Sequence, residues 1–353
     1  MRLLRSKIRP PDLPPGTIDR PRILDRILDR ERSLVLLQAP AGYGKSVLAV
    51  QVYRSAPGST AWLYLEPEDA EPRRFCRYLV GALAEVVPAV AGTELAAAGP
   101  EFDPPVWIED LALFLQEVSR RHLRLILDNF ESVIAGPHVV RLVEDLLRRT
   151  GDRLSLLVTS RTPPGFRLGR RLAGDTALLL DAGDLGMSLE EFREAARVRG
   201  TPAEPARLED RWARSAGWCV AVGLGEGVVG GGKGDYLEEE ILSTLPEDLL
   251  ERLEAASLLT VIDAAGLSAL SHPGTEPGEL GEALAASGVP HFRVEDPAGI
   301  RLHPLVRERL LERYRRRYPQ PSREDPAERV FQWLWGEKRL DEAIRLRFDL
   351  EDH

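Results

Sequence analysis

The sequence predicts a multidomain protein, α/β in its first half and α in its second, with a parallel sheet that carries helices on both faces. Three observations carry that expectation. Apolar runs of strand length alternate with helical runs from Leu34 to Thr159, a glycine-bearing turn separates the first such strand from the helix after it, and beyond Leu180 the pattern becomes helical. Alternating strands and helices pack as a parallel sheet because each crossover helix lands on a sheet face. At 353 residues the chain has room for several cores, since one domain holds about 100 to 200 residues.

Arg9 to Gly16 reads as an extended arm, because its four prolines remove backbone donors. A helix is expected over Pro21 to Leu28, with Pro21 tolerated in its first turn. Strands follow at Leu34 to Leu37, Ala61 to Leu65, Leu123 to Leu127 and Leu154 to Thr159. Helices are expected after Lys45, across Pro72 to Val86 and across Val139 to Arg149, and a loop from Val87 to Pro105. Ser188 with Glu191 has the form of a capping box. The glycine-rich run Gly223 to Gly234 reads as a flexible connection and a domain boundary. Beyond it, helices near Leu237 to Leu245, Glu247 to Ser257 and Gly278 to Ser287 precede strands at Phe292 to Glu295 and Ile300 to His303, a winged-helix order. Pro326 to Glu351 reads as two amphipathic helices joined at Gly336 to Lys338, the unit of a helical-repeat (TPR-like) array. One such pair cannot bury its own apolar face, so a fragment or shortened relative of a longer protein is expected.

Gln38 to Ser46 is where the chemistry concentrates. Gly42 and Gly44 let the main chain curl around a phosphate group, and the helix after Lys45 presents its positive N-terminal end to it. Lys45 is suited to neutralising β and γ phosphates and Ser46 to ligating Mg2+. Ala41, Gly42, Tyr43, Gly44, Lys45, Ser46 and Val47 are therefore the expected phosphate-binding residues. The full loop pattern wants glycine where this chain has Ala39, which costs little if that residue is not at positive φ. The run Leu123 to Asp128 is an apolar strand ending in a carboxylate, the form of a magnesium-holding strand, which makes Asp128 the second metal-site candidate.

A net charge of −9 and a pI near 5.4 argue against a protein that coats nucleic acid. Arg307, Arg309, Arg313, Arg315, Arg316 and Arg317 interleave with Glu308 and Glu312, which reads as a solvated helix face with pairs such as Glu312 with Arg316. Trp218 is expected to pack rather than to stack on a ligand, and Trp333 and Trp335 to lie in a repeat core. Cys76 and Cys219, far apart, suggest neither a disulfide framework nor a zinc site. No stretch has the 18 or so apolar residues of a membrane span and Met1 to Ser6 lacks a secretion signal, so a cytoplasmic location without membrane partners is expected.

Together these pieces resemble the signal-transduction ATPases with numerous domains (STAND), in the branch typified by the bacterial maltose-regulon transcriptional activator. The likeness rests on Ser6 to Pro10 with Ile18 to Arg20, Ala39 to Ser46, Trp62 to Leu65 with Pro72 to Leu79, Val158 to Arg161, Ser215 to Trp218, and His303 to Leu305. It implies an arm over 1–30, a P-loop NTPase domain over 31–180, a helical domain over 181–234, a winged-helix domain over 235–318 and the start of a repeat arm over 319–353. It also implies that Ile18 and Arg20 contact the adenine, Lys45 and Ser46 the phosphates and magnesium, Asp128 the magnesium shell, Arg161 the γ-phosphate, and His303 the β-phosphate of ADP. The implied function is an ATP/ADP switch, closed with ADP and opened into self-association by ATP and an inducer. A C-terminal region outside this chain would sense that small-molecule or protein inducer, and a further effector domain would bind DNA. Two positions depart from the pattern. Asn129 follows Asp128 where a second carboxylate is usual; it can orient a water but cannot take its proton, so at most a slow ATPase is expected. Cys219 replaces the expected proline after Trp218. The rival reading is a catalytic P-loop ATPase or kinase in which turnover itself is the function.

Overall fold

The computed structural model describes residues 3–29, 32–96, 102–118, 122–200, 204–222, 236–270, 277–295, 298–318 and 325–351. The chain divides into two compact units, Met1–Pro202 and Ala203–His353, a division inside the stretch 181–234. The expected connection Gly223 to Gly234 lies outside the described residues.

The first unit is built on five parallel strands, β1 (Leu34–Gln38), β2 (Thr60–Tyr64), β3 (Leu123–Asp128), β4 (Leu154–Ser160) and β5 (Ala177–Leu180), in the order β2-β3-β4-β1-β5. Their nearly continuous apolar runs suit strands covered on both faces. Leu34, Leu36, Leu125, Leu127, Leu156 and Val158 pack with helices Pro72–Ala84, Pro104–Val118 and Pro137–Thr150. The alternate residues face the side taken by helix Lys45–Ser55, which follows the loop after β1. Register then decides which side chains share an edge. Tyr64 pairs with Asp128, Leu127 with Val158, and Leu37 with Thr159. Tyr64, Asp128 and Thr159 thus stand in a row at the C-terminal ends of the strands, beside the loop, where ligands of such sheets bind.

Helix Pro104–Val118 and strand β5 are among the elements that go beyond the sequence reading. The expected loop Val87 to Pro105 holds short 3₁₀ turns at Pro88–Gly92 and Glu94–Ala96 and runs into helix Pro104–Val118, whose buried Trp107, Ile108, Leu111 and Leu115 recur at helical spacing. The short strand β5 completes the sheet next to β1. The capping box forms as expected: Ser188 accepts from the Glu191 N–H, while Glu191 accepts from the Ser188 N–H.

The N-terminal segment is clasped onto this unit by a buried ionic cluster. The ammonium of Lys7 contacts Asp69 and lies 3.0 Å from Glu66, over the Tyr78 ring at 4.4 Å, while Arg74 reaches Asp69 at 2.9 Å. Gly81, in mid-helix, leaves room for Leu3; a Cβ there would overlap it.

In the second unit, helices Glu247–Ala256, Ala264–Ala269 and Pro277–Ser287 precede the antiparallel hairpin β6 (His291–Glu295) and β7 (Ala298–Leu302) and the closing helix Pro304–Arg317. Four arginines of that closing helix are spent on carboxylates, mostly across helices rather than along one, and Arg315 donates to the Asp349 carbonyl. Arg313 bonds Glu238 and Glu254, Arg317 bonds Glu251 and Glu254, Arg309 bonds Glu238 and Glu312, and Arg307 bonds Asp349. The expected Glu312 to Arg316 pair gives way to Arg309 with Glu312. Helices Pro326–Gly336 and Leu340–Glu351 form the terminal pair. Trp335 is not core: Ala327, Val330 and Leu334 define the buried stripe, and Trp335 falls outside it, exposed and stacked on Phe331 at 5.9 Å.

Candidate functional site

The loop after β1 has the backbone that its glycines predict. Gly42 and Gly44 lie at φ of 81° and 77°, where a Cβ is strongly disfavoured. Ala39 is not among the positive-φ residues; its N–H continues the sheet by donating to the Ser160 carbonyl at 3.2 Å, which is why alanine is tolerated there. Ala41 and Tyr43 are buried and Val47 is half-buried, so the loop is seated on its own side chains. Gly44 caps helix Lys45–Ser55, and the Lys45 ammonium folds along the loop to donate to the carbonyls of Ala39 at 2.6 Å and Pro40 at 2.9 Å.

Ser46, Asp128 and Thr159 converge. The Ser46 hydroxyl donates to Asp128 Oδ1 at 2.9 Å, and the Thr159 hydroxyl donates to the same oxygen at 2.5 Å. Burial raises the Asp128 carboxyl above its ordinary value, against the hydrogen bonds from Thr159 and Ser46 and the field of Lys45. The sequence identified Ser46 and Asp128; Thr159 it noted only as part of a strand. Its signal is a hydroxyl next to the C-terminal end of a wholly buried strand that also carries Ser155 and Ser160.

The donor set suits one particular kind of metal. Ser46 and Asp128 offer hard oxygens, and among the described residues there is no group of three or more His, Cys, Asp or Glu able to hold an ion. That combination fits Mg2+, which is held by one or two protein oxygens together with phosphate oxygens and water, rather than by an all-protein cage.

Asn129 sits at a φ of 67° and turns the chain at the end of β3, a conformation asparagine tolerates better than most residues. Its side-chain amide is committed, donating to the Leu65 carbonyl at 2.9 Å and the Ser132 hydroxyl at 2.7 Å. The turn brings Glu131 back to the end of β4. There Arg161 donates to it twice, from Nε at 3.1 Å to one oxygen and from the backbone N–H at 3.2 Å to the other. Tyr64 stands nearby; burial, with the charges of Asp128 and Glu131, pushes its phenol up.

The arm reaches the same helix. Gln51 donates to the Ile18 carbonyl at 2.8 Å and to Asp19 at 3.1 Å, fixing the arm on helix Lys45–Ser55. Arg20, buried, donates to the carbonyls of Leu185 and Gly186 and pairs with Glu191 at 3.0 Å. Burial alone would raise Glu191, but Arg20, the Ser188 N–H and Arg22 hold it below the usual range. Gln51 was missed by sequence reasoning, although it is the one polar residue in the run Leu48 to Val52.

His303 lies in the second unit and caps helix Pro304–Arg317. Its Nδ1 accepts from the Leu305 N–H at 3.3 Å, which fixes the proton on Nε2, and Nε2–H donates to the Ser215 carbonyl at 2.9 Å. Trp218 lies 5.2 Å from the ring and Phe292 5.9 Å. Two motifs far apart in sequence, Ser215 to Trp218 and His303 to Leu305, thus build one buried joint. Burial pushes the His303 imidazole down to about 4, against the Ser215 bond.

Fold and site together define a P-loop ATPase-like domain in a chain that also carries a winged helix. Residues 238–322 match the family described as the MalT winged helix domain. The chain is 25% identical over 337 residues to the HTH-type transcriptional regulator MalT of Cronobacter sakazakii, covering 88% of this chain and 37% of that protein. It is 25% identical over 338 residues to MalT of Klebsiella pneumoniae, with the same coverage. The chain is thus MalT-like, as its motifs implied, and spans little more than a third of the length of those relatives. Among solved structures, a Walker-type ATPase of Pyrococcus abyssi shares the fold with a TM-score of 0.55 at 13% identity, covering 85% of this chain and 99% of that one. No described helix is long and apolar enough to cross a membrane.

Proposed function

We propose that this chain is the nucleotide-operated switch region of a MalT-like transcriptional regulator, binding ADP in a closed state and ATP with Mg2+ in an open, self-associating one. The observation that carries the reading is the convergence of Ser46 and Thr159 on one oxygen of Asp128 at the mouth of a loop whose glycines hold positive φ. In this reading Ala41 to Val47 cradle the phosphates, and Lys45 leaves the loop carbonyls for the β and γ oxygens. Ser46 and Asp128 hold the metal, which supplies charge neutralisation between the phosphates. Ile18 and Arg20 border the adenine, the first through backbone held by Gln51.

Hydrolysis is slow in this proposal, because the two candidates for handling water are occupied: the Asn129 amide by Leu65 and Ser132, and Glu131 by Arg161. Switch proteins need no more than about 10⁻⁴ to 10⁻² turnovers per second. His303 enters as a phosphate ligand of the ADP state only by exchanging the Ser215 carbonyl for a phosphate oxygen, so His303→Ala is expected to speed ADP release. Inducer sensing and DNA binding are assigned to regions outside these residues.

The test is to denature freshly purified protein, separate the released small molecules by ion exchange, and repeat with Lys45→Ala. Near-stoichiometric ADP that vanishes in the variant supports the switch. Absence of nucleotide in both proteins, with no binding in a direct ATP titration, overturns it. Steady turnover well above about one per minute moves the reading to a catalytic P-loop enzyme.

A further inference from the structure

We infer that Glu131 is a latch on Arg161 that sets how strongly the site prefers a nucleoside triphosphate over a diphosphate. The inference rests on the nucleotide-binding reading above and adds a regulatory element to it. Arg161 is placed by the sheet. It follows Ser160, whose carbonyl accepts from the first residue of the loop, Ala39, and it lies two residues past Thr159, which bonds the Asp128 oxygen shared with Ser46. Its guanidinium therefore belongs to the edge where the outermost phosphate of a loop-bound nucleotide ends.

Glu131 already occupies this arginine. One carboxylate takes both the Nε–H and the backbone N–H of Arg161, a two-point grip that fixes the side chain as well as the strand end. Glu131 reaches that position because the αL turn at Asn129, itself pinned by Leu65 and Ser132, folds the chain back from β3 to β4. The pair is only partly covered, with Arg161 39% and Glu131 18% exposed, so it can open without unfolding its surroundings. A third phosphate must compete with this carboxylate for the guanidinium, and a second like charge at the same place adds repulsion. A diphosphate ends one group earlier and leaves the latch closed. The same contact that occupies Glu131 keeps it from activating water, so one ion pair both weakens triphosphate binding and slows its loss.

The experiment measures the affinities of the full chain for ADP and for a slowly hydrolysed ATP analogue with Mg2+, by titration calorimetry. It compares wild type, Glu131→Gln, Glu131→Asp, Arg161→Gln and the Glu131→Gln/Arg161→Gln double variant. Glu131→Gln is expected to tighten the triphosphate about 5-fold, the scale of one partly exposed ion pair, with ADP affinity unchanged. Glu131→Asp restores the wild-type ratio, and in the Arg161→Gln background the Glu131 substitution loses the part of its effect that comes from freeing the guanidinium, leaving only a smaller gain from relieved repulsion. Equal changes for both nucleotides, or none, overturn the latch while leaving nucleotide binding intact. Loss of turnover in Glu131→Gln without any change in the affinity ratio also overturns it, making Glu131 the base. Failure of wild type to bind either nucleotide overturns the reading beneath it.

Discussion

Asp69 and Asp128 are carboxylates of the same unit buried to almost the same depth, 0% and 3% exposed, yet the chain treats them in opposite ways. Asp69 is surrounded by cations: Lys7, itself 2% exposed, and Arg74, with the Glu66 N–H as a further donor. Asp128 is held by two hydroxyls, and burial dominates its ionisation. A buried charge that is fully paired is scaffold, because nothing remains for a ligand to supply. A buried carboxylate satisfied only by neutral donors has a deficit of positive charge that a bound cation can fill. The same depth thus marks a clasp in one place and, in the proposed reading, the metal site in the other.

The sharpest way to break this contrast is to remove the cation from the clasp. Lys7→Met leaves Asp69 buried with Arg74 as its remaining counter-charge, so one charge-assisted contact is lost rather than a charge left unpaired, and the expected cost is about 3 kcal/mol, read from urea unfolding of the first unit. A loss below about 1 kcal/mol would mean that the clasp is not scaffold.

A buried group with no counter-charge should reveal itself through pH, and His303 is the clearest case in the second unit. Its folded pKa lies below that of an unfolded histidine, so its contribution is complete above about 6.5 and is lost as pH falls towards about 4. Roughly 3 kcal/mol of the second unit's stability should disappear over that window. His303→Gln, which keeps a donor for Ser215, should flatten the profile; an unchanged slope would show that the imidazole is not the responsible group.

Asp128 has the opposite sign. Its raised folded pKa means that the stability it contributes is present below the ordinary Asp value and is lost as pH rises through the raised one. Asp128→Asn is therefore expected to be at least as stable as wild type at neutral pH, with the gap closing on acidification, while Mg2+-dependent nucleotide binding weakens tenfold or more. Calorimetric melting at pH 7 and pH 4 separates this from a scaffold residue, whose removal destabilises at pH 7. Thr159→Val should have the smallest effect, about 1 kcal/mol, by removing one donor from Asp128.

Parts of this contrast were legible without coordinates and parts were not. Gly42, Gly44, Lys45 and Ser46 are adjacent in sequence, so their backbone geometry and chemistry are local properties. Asp128 could be found because a strand ending in a carboxylate is a local pattern. Thr159 could not be assigned, since its partner is 31 residues away and the bond exists only because β4 lies beside β3. In sequence Lys7 belongs to an arm, and its burial against Asp69, 62 residues on, has no local signature. Helix Pro104–Val118 had a readable helical period, hidden behind a Pro, Ala and Gly-rich approach.

The sequence by itself determined the strand and helix alternation, the loop with its positive-φ glycines, the winged-helix order and the MalT-like character. The first three follow from residues close together, through backbone sterics and the period of apolar side chains, and the last from the resemblance of motifs spread along the chain. Only the tertiary structure decided that Ser46 and Thr159 meet on Asp128, that Glu131 holds Arg161, that Lys7 is buried on Asp69 and that His303 bonds Ser215. Those pairings join residues tens of positions apart, and only strand order, register and helix packing bring such groups within hydrogen-bond distance.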